Sequence, residues 1–457
     1  MIAALTLFAL QQPVPTPAPD TSRGRPCVVE IDSIGHNYRE VVQPTGVKSY
    51  HAGGGVLAHC QGTHTTLSTD SIAHYPEFGR ADLVGRVHIR DTTIALDANF
   101  VSYFIRDERL EAHTNVVAVN KANGSVLRGP NLTYWRAVPG IRDTLEMYAT
   151  QRPTIQYRGG GAADTTEPYV IVADRVRFKG SDRMWAGGRS TIDRSDFAAQ
   201  GDSMTLDQTV GLGVLTGNPR VQGKGTQTYT LTGTRIELVL QAREVRLVKA
   251  MGNGKALSTD WVLTADTIHL AIERRKLQQA LAWGGGGKGA SRPHAVSALQ
   301  DIRADSLALD VPDQVLTEGR GFGRAFSASK RDSTVANVRG QCTGDNSDCL
   351  SSCLRVAVDC IAGDTLTARW GHEPDSTGAE RSRIRRIIAR GSARALTHMY
   401  GRDTTGGPTL NYSRGKTIDI VLKQARIDRV TVGGRADGVH LEPRPPVSDT
   451  TAKKDST

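Results

Sequence analysis

Apolar and small residues recur along the chain in one phrase: an apolar residue, any residue, Ala or Gly, two of any kind, apolar, any, apolar. Clear copies are Leu96/Ala98/Val101/Tyr103, Leu127/Gly129/Leu132/Tyr134 and Ile171/Ala173/Val176/Phe178. Three more are Leu231/Gly233/Ile236/Leu238, Leu263/Ala265/Ile268/Leu270 and Ile302/Ala304/Leu307/Leu309, with looser copies starting at Leu67, Phe197 and Leu366. The residue after the small one is a turn former: Asn99, Pro130, Asp174, Thr234, Asp266 or Asp305. Each half alternates with period two and so predicts a strand. The apolar parity slips by one across the small residue and its neighbour. Such a slip sends side chains to the opposite face unless a bulge or corner absorbs it. Each copy is therefore expected to be two short strands joined by a compact bend. One unit cannot bury its apolar face alone, but a stack can.

A second phrase runs apolar residues into Gly and then a small residue. It occurs at 248–256, 280–285, 387–395 and 430–436, and alternates with the first phrase. Residues 82–89 carry strand, bulge and strand, with Gly85 at the bulge. Gly-rich stretches at 158–168, 217–225 and 283–289 predict loops. Leu350–Val358 is the best candidate for a short helical piece. Arg381–Arg394 fits a strand with one basic face or a short helix. Its arginines, notably Arg383, Arg385, Arg386 and Arg390, are either a solvated face or contacts for an anion.

Composition suits thin, extended β-structure: aromatics make up 5% of the 457 residues, while 48 glycines supply turns and bulges. The net charge of +10 favours solubility or attraction to an anionic partner. Basic runs interleaved with aromatics, helix-turn-helix patterns and zinc-finger spacings are all missing, so nucleic acid is not an expected partner. The first ten residues are mostly apolar and precede a Pro-rich stretch. They are too few to span a bilayer and fit the core of a secretory signal, although a basic leader is missing. The six cysteines, Cys27, Cys60, Cys342, Cys349, Cys353 and Cys360, suit disulfides in an oxidising compartment. The simplest pairing joins Cys27 to Cys60 and places two bridges within 342–360. Zinc and free thiols remain open for that cluster, although its spacing is not that of a zinc knuckle. No metal or cofactor is expected.

Motifs for catalysis are sparse. Lys288 in W-G-G-G-G-K-G is followed by Gly289 rather than Ser or Thr, so a phosphate loop is not expected. Neither H-E-x-x-H nor G-x-S-x-G occurs. Asp174, Asp266 and Asp305 could form a carboxylate ladder of the polysaccharide-cleaving kind if the repeats stacked in register. Ordinary turn chemistry accounts for them equally well. The chain is therefore not expected to be an enzyme. A polysaccharide-degrading β-solenoid and a structural or adhesive surface protein are the alternatives.

The alternating phrases L-D-A-N-F-V-S-Y, L-R-G-P-N-L-T-Y and L-T-A-D-T-I-H-L, followed by strands with apolar-x-G-x-A, resemble the OstA-like proteins of lipopolysaccharide transport. That family includes the periplasmic bridge protein LptA and the periplasmic domain of the outer-membrane translocon LptD. The likeness covers about 60–310 well and 364–441 weakly, and lies in diffuse repeats rather than an invariant motif. It implies an all-β jellyroll or solenoid of stacked short antiparallel strands. Acyl chains of lipopolysaccharide or a related glycolipid would lie in an apolar groove. Candidate groove residues are Leu96, Val101, Tyr103, Leu127, Leu132, Ile171, Val176, Phe178, Leu231, Ile236, Leu263, Ile268, Ile302 and Leu307. Implied partners are other Lpt-type jellyrolls, joined through edge strands, and an outer-membrane translocon. The implied location is the periplasm, with association to the inner or outer membrane left open. The length suggests two jellyroll units in tandem, at 27–225 and at 226–326 with 363–441. They are preceded by a signal-like segment and linker (1–26), interrupted by a Cys-rich insertion (327–362) and followed by a disordered tail (442–457). The insertion and the long loops depart from the family pattern, and no outer-membrane barrel follows.

Overall fold

The structure is a computed structural model. It describes residues 27–44, 46–61, 63–138, 140–158, 167–225, 228–242, 244–284, 292–297, 300–329, 358–374, 380–399, 409–423 and 426–442. The signal-like segment 1–26, Cys342, Cys349 and Cys353 lie outside these residues, as do the tail beyond Glu442 and, apart from Val358, the expected helical piece. The described chain is all-β, with 29 strands and two single 3-10 turns, Pro76–Phe78 and Pro312–Gln314. By its contacts it forms two compact units. One contains residues up to Ala122 with Val126–Gln151; the other contains Asn123–Ser125 and Arg152 onward. The 225/226 boundary anticipated from the sequence falls inside the second unit, where Arg220–Gly223 pairs with Tyr229–Thr232.

Within each unit, successive long strands pair antiparallel and bend near the middle, so their two halves belong to two facing layers. Trp261–Glu273 shows why. Trp261, Leu263 and Ala265 are buried on one side of the bend, and Ile268, Leu270 and Ile272 on the other. The parity changes from odd to even across Asp266 and Thr267, yet every apolar side chain faces inward. Ile94–Phe104 does the same, with Leu96, Ala98, Val101 and Tyr103 all buried. The slip in the sequence is thus what keeps both halves facing one interior. Burial of each large aliphatic side chain contributes about 1.5–3 kcal/mol.

Cross-strand geometry explains the bend. In Glu244–Ser258, Gly252 and Asn253 adopt left-handed φ of 71° and 54°. They stand opposite the single residue Asp266, between the pairs Met251↔Thr267 and Gly254↔Ala265. Gly323–Arg324 faces Asp364 in the same way, Gly188–Arg189 faces Asp202, and Thr114–Asn115 faces Pro130. The two sequence phrases are therefore the two sides of one device. One strand supplies a two-residue left-handed bulge, and its neighbour supplies the small residue and the turn former. Glycine leads the bulge because a Cβ on Gly323 would lie 2.5 Å from Asp305 Oδ2, and one on Gly85 would lie 2.4 Å from Asp70 Oδ2. In three of these bulges the Arg after the glycine returns to that carboxylate: Arg86–Asp70 at 2.6 Å, Arg189–Asp174 at 2.8 Å and Arg324–Asp305 at 2.7 Å.

One expectation is corrected here and one open alternative is resolved. The insertion is narrower than 327–362, because 326–329 of Glu318–Ser329 pair with 359–362 of Asp359–Pro374. Phe326, Ala328, Val358, Cys360, Ala362 and Leu396 form a buried cluster at that point. Of the two forms open for Arg381–Arg394, the strand is the one adopted, inside Glu380–Met399.

Candidate functional site

The second unit holds a half-open cavity of about 550 Å³, inside the range of small-molecule sites. Its walls come from seven strands. Tyr157 lies on Thr154–Tyr157, Tyr169 and Ile171 on Tyr169–Val172, and Met184 and Ile192 on Arg183–Asp193. Phe197, Met204 and Leu206 come from Phe197–Asp207, Leu238 and Leu240 from Arg235–Gln241, and Val245 from Glu244–Ser258. One absent side chain makes the room. In Leu212–Thr216, Gly213 and Leu215 share the inward parity, and Gly213 pairs with Leu238. Any larger residue at Gly213 would enter the space between Met204, Leu206 and Leu238. The polar part of the lining is small: Asp182, Thr205, Gln208 and Thr209, of which all but Thr205 sit at hairpin turns.

Beside this cavity lies a cluster of charge. Arg194 is buried and holds Asp196 through Nε at 2.5 Å and Nη2 at 2.8 Å. Arg275, in the turn between Trp261–Glu273 and Lys276–Trp283, lies 3.9 Å from Asp196 and 3.6 Å from Glu244. The Arg194 guanidinium lies over the Tyr169 ring, 4.2 Å from its centroid. Burial pushes the Tyr169 hydroxyl above its ordinary pKa, against a smaller opposing effect of Arg194, so it stays protonated at neutral pH. That hydroxyl is buried and makes no hydrogen bond among the described residues.

The first unit is closed more tightly. Cys27 and Cys60 form a disulfide, which suits an oxidising compartment. Buried Glu108 accepts hydrogen bonds from the Cys27 amide (2.6 Å) and the Tyr103 hydroxyl (2.9 Å), with Arg136 at 3.0 Å. The cavity against this cluster is only about 40 Å³. Burial lifts the Tyr103 hydroxyl well above its ordinary range and pushes Tyr134, which lines the same cavity, up to about 12.

All fourteen groove candidates are buried. Ile171 lines the large cavity and Tyr103 the small one. The other twelve (Leu96, Val101, Leu127, Leu132, Val176, Phe178, Leu231, Ile236, Leu263, Ile268, Ile302 and Leu307) line neither. Sequence analysis did not single out Met184, Met204, Leu206, Leu240, Gly213 or Tyr169. The available signal was glycine at an inward-parity position of L-G-V-L-T. Among the four basic candidates, Arg386 pairs with Asp419 at 2.5 Å. Arg385 donates to the His372 carbonyl at 2.6 Å and lies 3.5 Å from Glu373. Arg383 and Arg390 have no ion pair among the described residues, and Arg390 is exposed. Asp174 is held by Arg189 and Arg152, and Asp305 by Arg324 and Arg292. The Arg189 hydrogen bond keeps Asp174 below the usual carboxylate range, which suits a bulge partner and not a proton donor. No helix of the described residues is long and apolar enough to cross a membrane. No protein-family model matches this chain, and no curated protein matches it.

Proposed function

We propose that this protein is a periplasmic lipid carrier of the OstA-like type, holding an acyl chain of lipopolysaccharide or a related anionic glycolipid between its two β layers. The observation that carries this reading is the 550 Å³ apolar cavity in the second unit. It lies in a fold whose bent strands turn both halves inward. Each methylene moved from water into such a site contributes about 0.8 kcal/mol. The charge of +10 would favour an anionic lipid surface or headgroup, and the Cys27–Cys60 disulfide fits export.

Partners would join through strand edges. Val29–Val42 takes its described register from Lys48–Cys60 and exposes Ile31, Tyr38 and Val42. Asp437–Leu441 pairs with Thr409–Lys423 and exposes Val439 and Leu441. An unpaired edge is a template for another strand, so other jellyrolls or a translocon domain would add there. The test is uptake of a fluorescent amphiphile by delipidated protein and its displacement by lipopolysaccharide. Saturable, displaceable uptake supports the reading; no uptake refutes it.

A further inference from the structure

We propose that the outward face of the last strands of the second unit, around Arg386, Arg390 and Arg429, docks on an anionic phospholipid surface. Such docking is separate from whatever fills the cavity.

Strand parity gathers the charge. In Glu380–Met399, Ile387 and Ala389 are buried, so Arg386, Ile388 and Arg390 point outward. In Thr409–Lys423, Ile418 and Ile420 are buried, so Thr417, Asp419 and Val421 point outward. The ladder sets Arg369 of Asp359–Pro374 opposite Arg386, Arg386 opposite Val421, and Val421 opposite Arg429 of Arg426–Gly433. Arg369, Arg386 and Arg429 therefore share one row across four strands, about 15 Å from end to end, and Arg390 lies on the same face.

The fold does not use all of this charge. Glu318 accepts from Arg369 at 2.8 Å, and Asp419 from Arg386 at 2.5 Å. Farther along the face, Asp310 holds Arg320 at 2.7 Å. The Arg386 hydrogen bond keeps Asp419 below the usual carboxylate range against its own burial, and the charges of Arg429 and Arg390 act in the same direction. One carboxylate thus answers three guanidinium groups. Arg390 and Arg429 are exposed and make no ion pair among the described residues. Arg369 and Arg386 stand directly opposite each other, where like charges oppose pairing. Positive charge is concentrated here beyond what holds the sheet together.

Shape favours a surface over a small anion. Outward side chains of adjacent strands stand nearly in one plane, whereas a small-molecule site is concave. A flat array of guanidinium groups matches the phosphates of a bilayer, and arginine binds phosphate through two parallel hydrogen bonds. Phe322, 44% exposed, stands opposite Thr365, itself opposite Arg390. It supplies the apolar contact that an interfacial surface adds to its charge.

The experiment is cosedimentation of the full-length chain with vesicles of phosphatidylcholine alone and of phosphatidylcholine mixed with phosphatidylglycerol. Binding should need phosphatidylglycerol and fall steeply as the Debye length drops from about 10 Å at 0.1 M salt to about 3 Å at 1 M. Each arginine near such a surface is worth about fivefold in affinity. Arg390→Gln with Arg429→Gln should therefore weaken binding about thirtyfold and leave the urea midpoint in place. Lys179→Gln with Arg274→Gln removes the same charge from exposed positions elsewhere in the unit and should leave binding nearly unchanged. The lipid and salt dependence of the unaltered chain stands even if a variant fails to fold. Equal binding to both vesicles, indifference to salt, or equal losses in the two double variants would overturn the proposal. Displacement by inorganic phosphate beyond that by chloride at equal ionic strength would assign a discrete small-anion site and overturn it. Polygalacturonate held at these arginines while vesicles stay unbound would assign the face to a glycan and overturn it too.

Discussion

Gly323→Ala tests the bulge on which the whole ladder depends. Gly323 has φ +73°, and an added Cβ would meet Asp305 Oδ2 at 2.5 Å and Asp305 Cβ at 3.0 Å. A left-handed backbone costs a non-glycine residue about 1–2 kcal/mol. The carboxylate must also swing away from Arg324. That pair is largely exposed, so its loss adds at most about 1 kcal/mol. The expected destabilisation is about 2–3 kcal/mol. Urea unfolding followed by tryptophan fluorescence reads it, because Trp185, Trp261, Trp283 and Trp370 all lie in the second unit. A chain of two units need not unfold in one step, so midpoint and slope are taken for the transition those tryptophans report. Adding Asp305→Ala should return about 1 kcal/mol as non-additive coupling. Gly213→Ala, in the same unit, is the control. A Cβ there meets only Leu238, at 3.4 Å and beyond, and its φ is not left-handed. If Gly323→Ala costs no more than this control, or Asp305→Ala restores nothing, the bulge account fails.

Leu263→Ala, at a position with no exposure, should cost about 2–5 kcal/mol in the same assay. Leu240→Ala only widens an existing cavity and should cost less than about 2 kcal/mol. Arg194→Ala removes two charge-assisted hydrogen bonds from half-buried Asp196, which keeps Arg275 at 3.9 Å, and should cost about 1.5–3 kcal/mol. Opening the Cys27–Cys60 bridge with serines releases a loop of sequence separation 33, and should cost about 4 kcal/mol by loop entropy, read as the thermal midpoint of the first unit. Acid should weaken the fold. Asp70, Asp174 and Asp419 are held below their ordinary pKa, chiefly by hydrogen bonds from Arg86, Arg189 and Arg386. A carboxyl that titrates lower folded than unfolded adds stability above its unfolded value, near about 4, and loses it as pH falls through the folded value. Burial also lowers His74 and His269, so the urea midpoint should be flat only above about pH 7.5, begin to fall as pH drops through about 6.5, and fall further below about pH 4.

The bent-strand architecture was legible because it rests on parity, which composition cannot hide. Asn99, Pro130, Asp174, Thr234, Asp266 and Asp305 were marked as bend residues, and each sits at a bend. The same alternation could not separate core from cavity. Leu263 and Leu240 are both leucines on strands, but only Leu240 lies beside the space that Gly213 leaves open. That space depends on which residues meet across seven strands, and a linear pattern does not carry the pairing. The basic strip at Arg383–Arg394 failed to declare its partners for the same reason: Asp419 lies far along the chain from Arg386 yet pairs with it across one rung.

The central claim is that the second unit is built around a guest chain. Mass spectrometry of the full-length protein, purified without detergent and sprayed under native conditions, tests it directly. The account predicts an adduct with the mass of an acylated lipid, lost in Gly213→Phe and Leu240→Trp. Protein that carries no lipid, and after exposure to long-chain fatty acids still carries none, would contradict it.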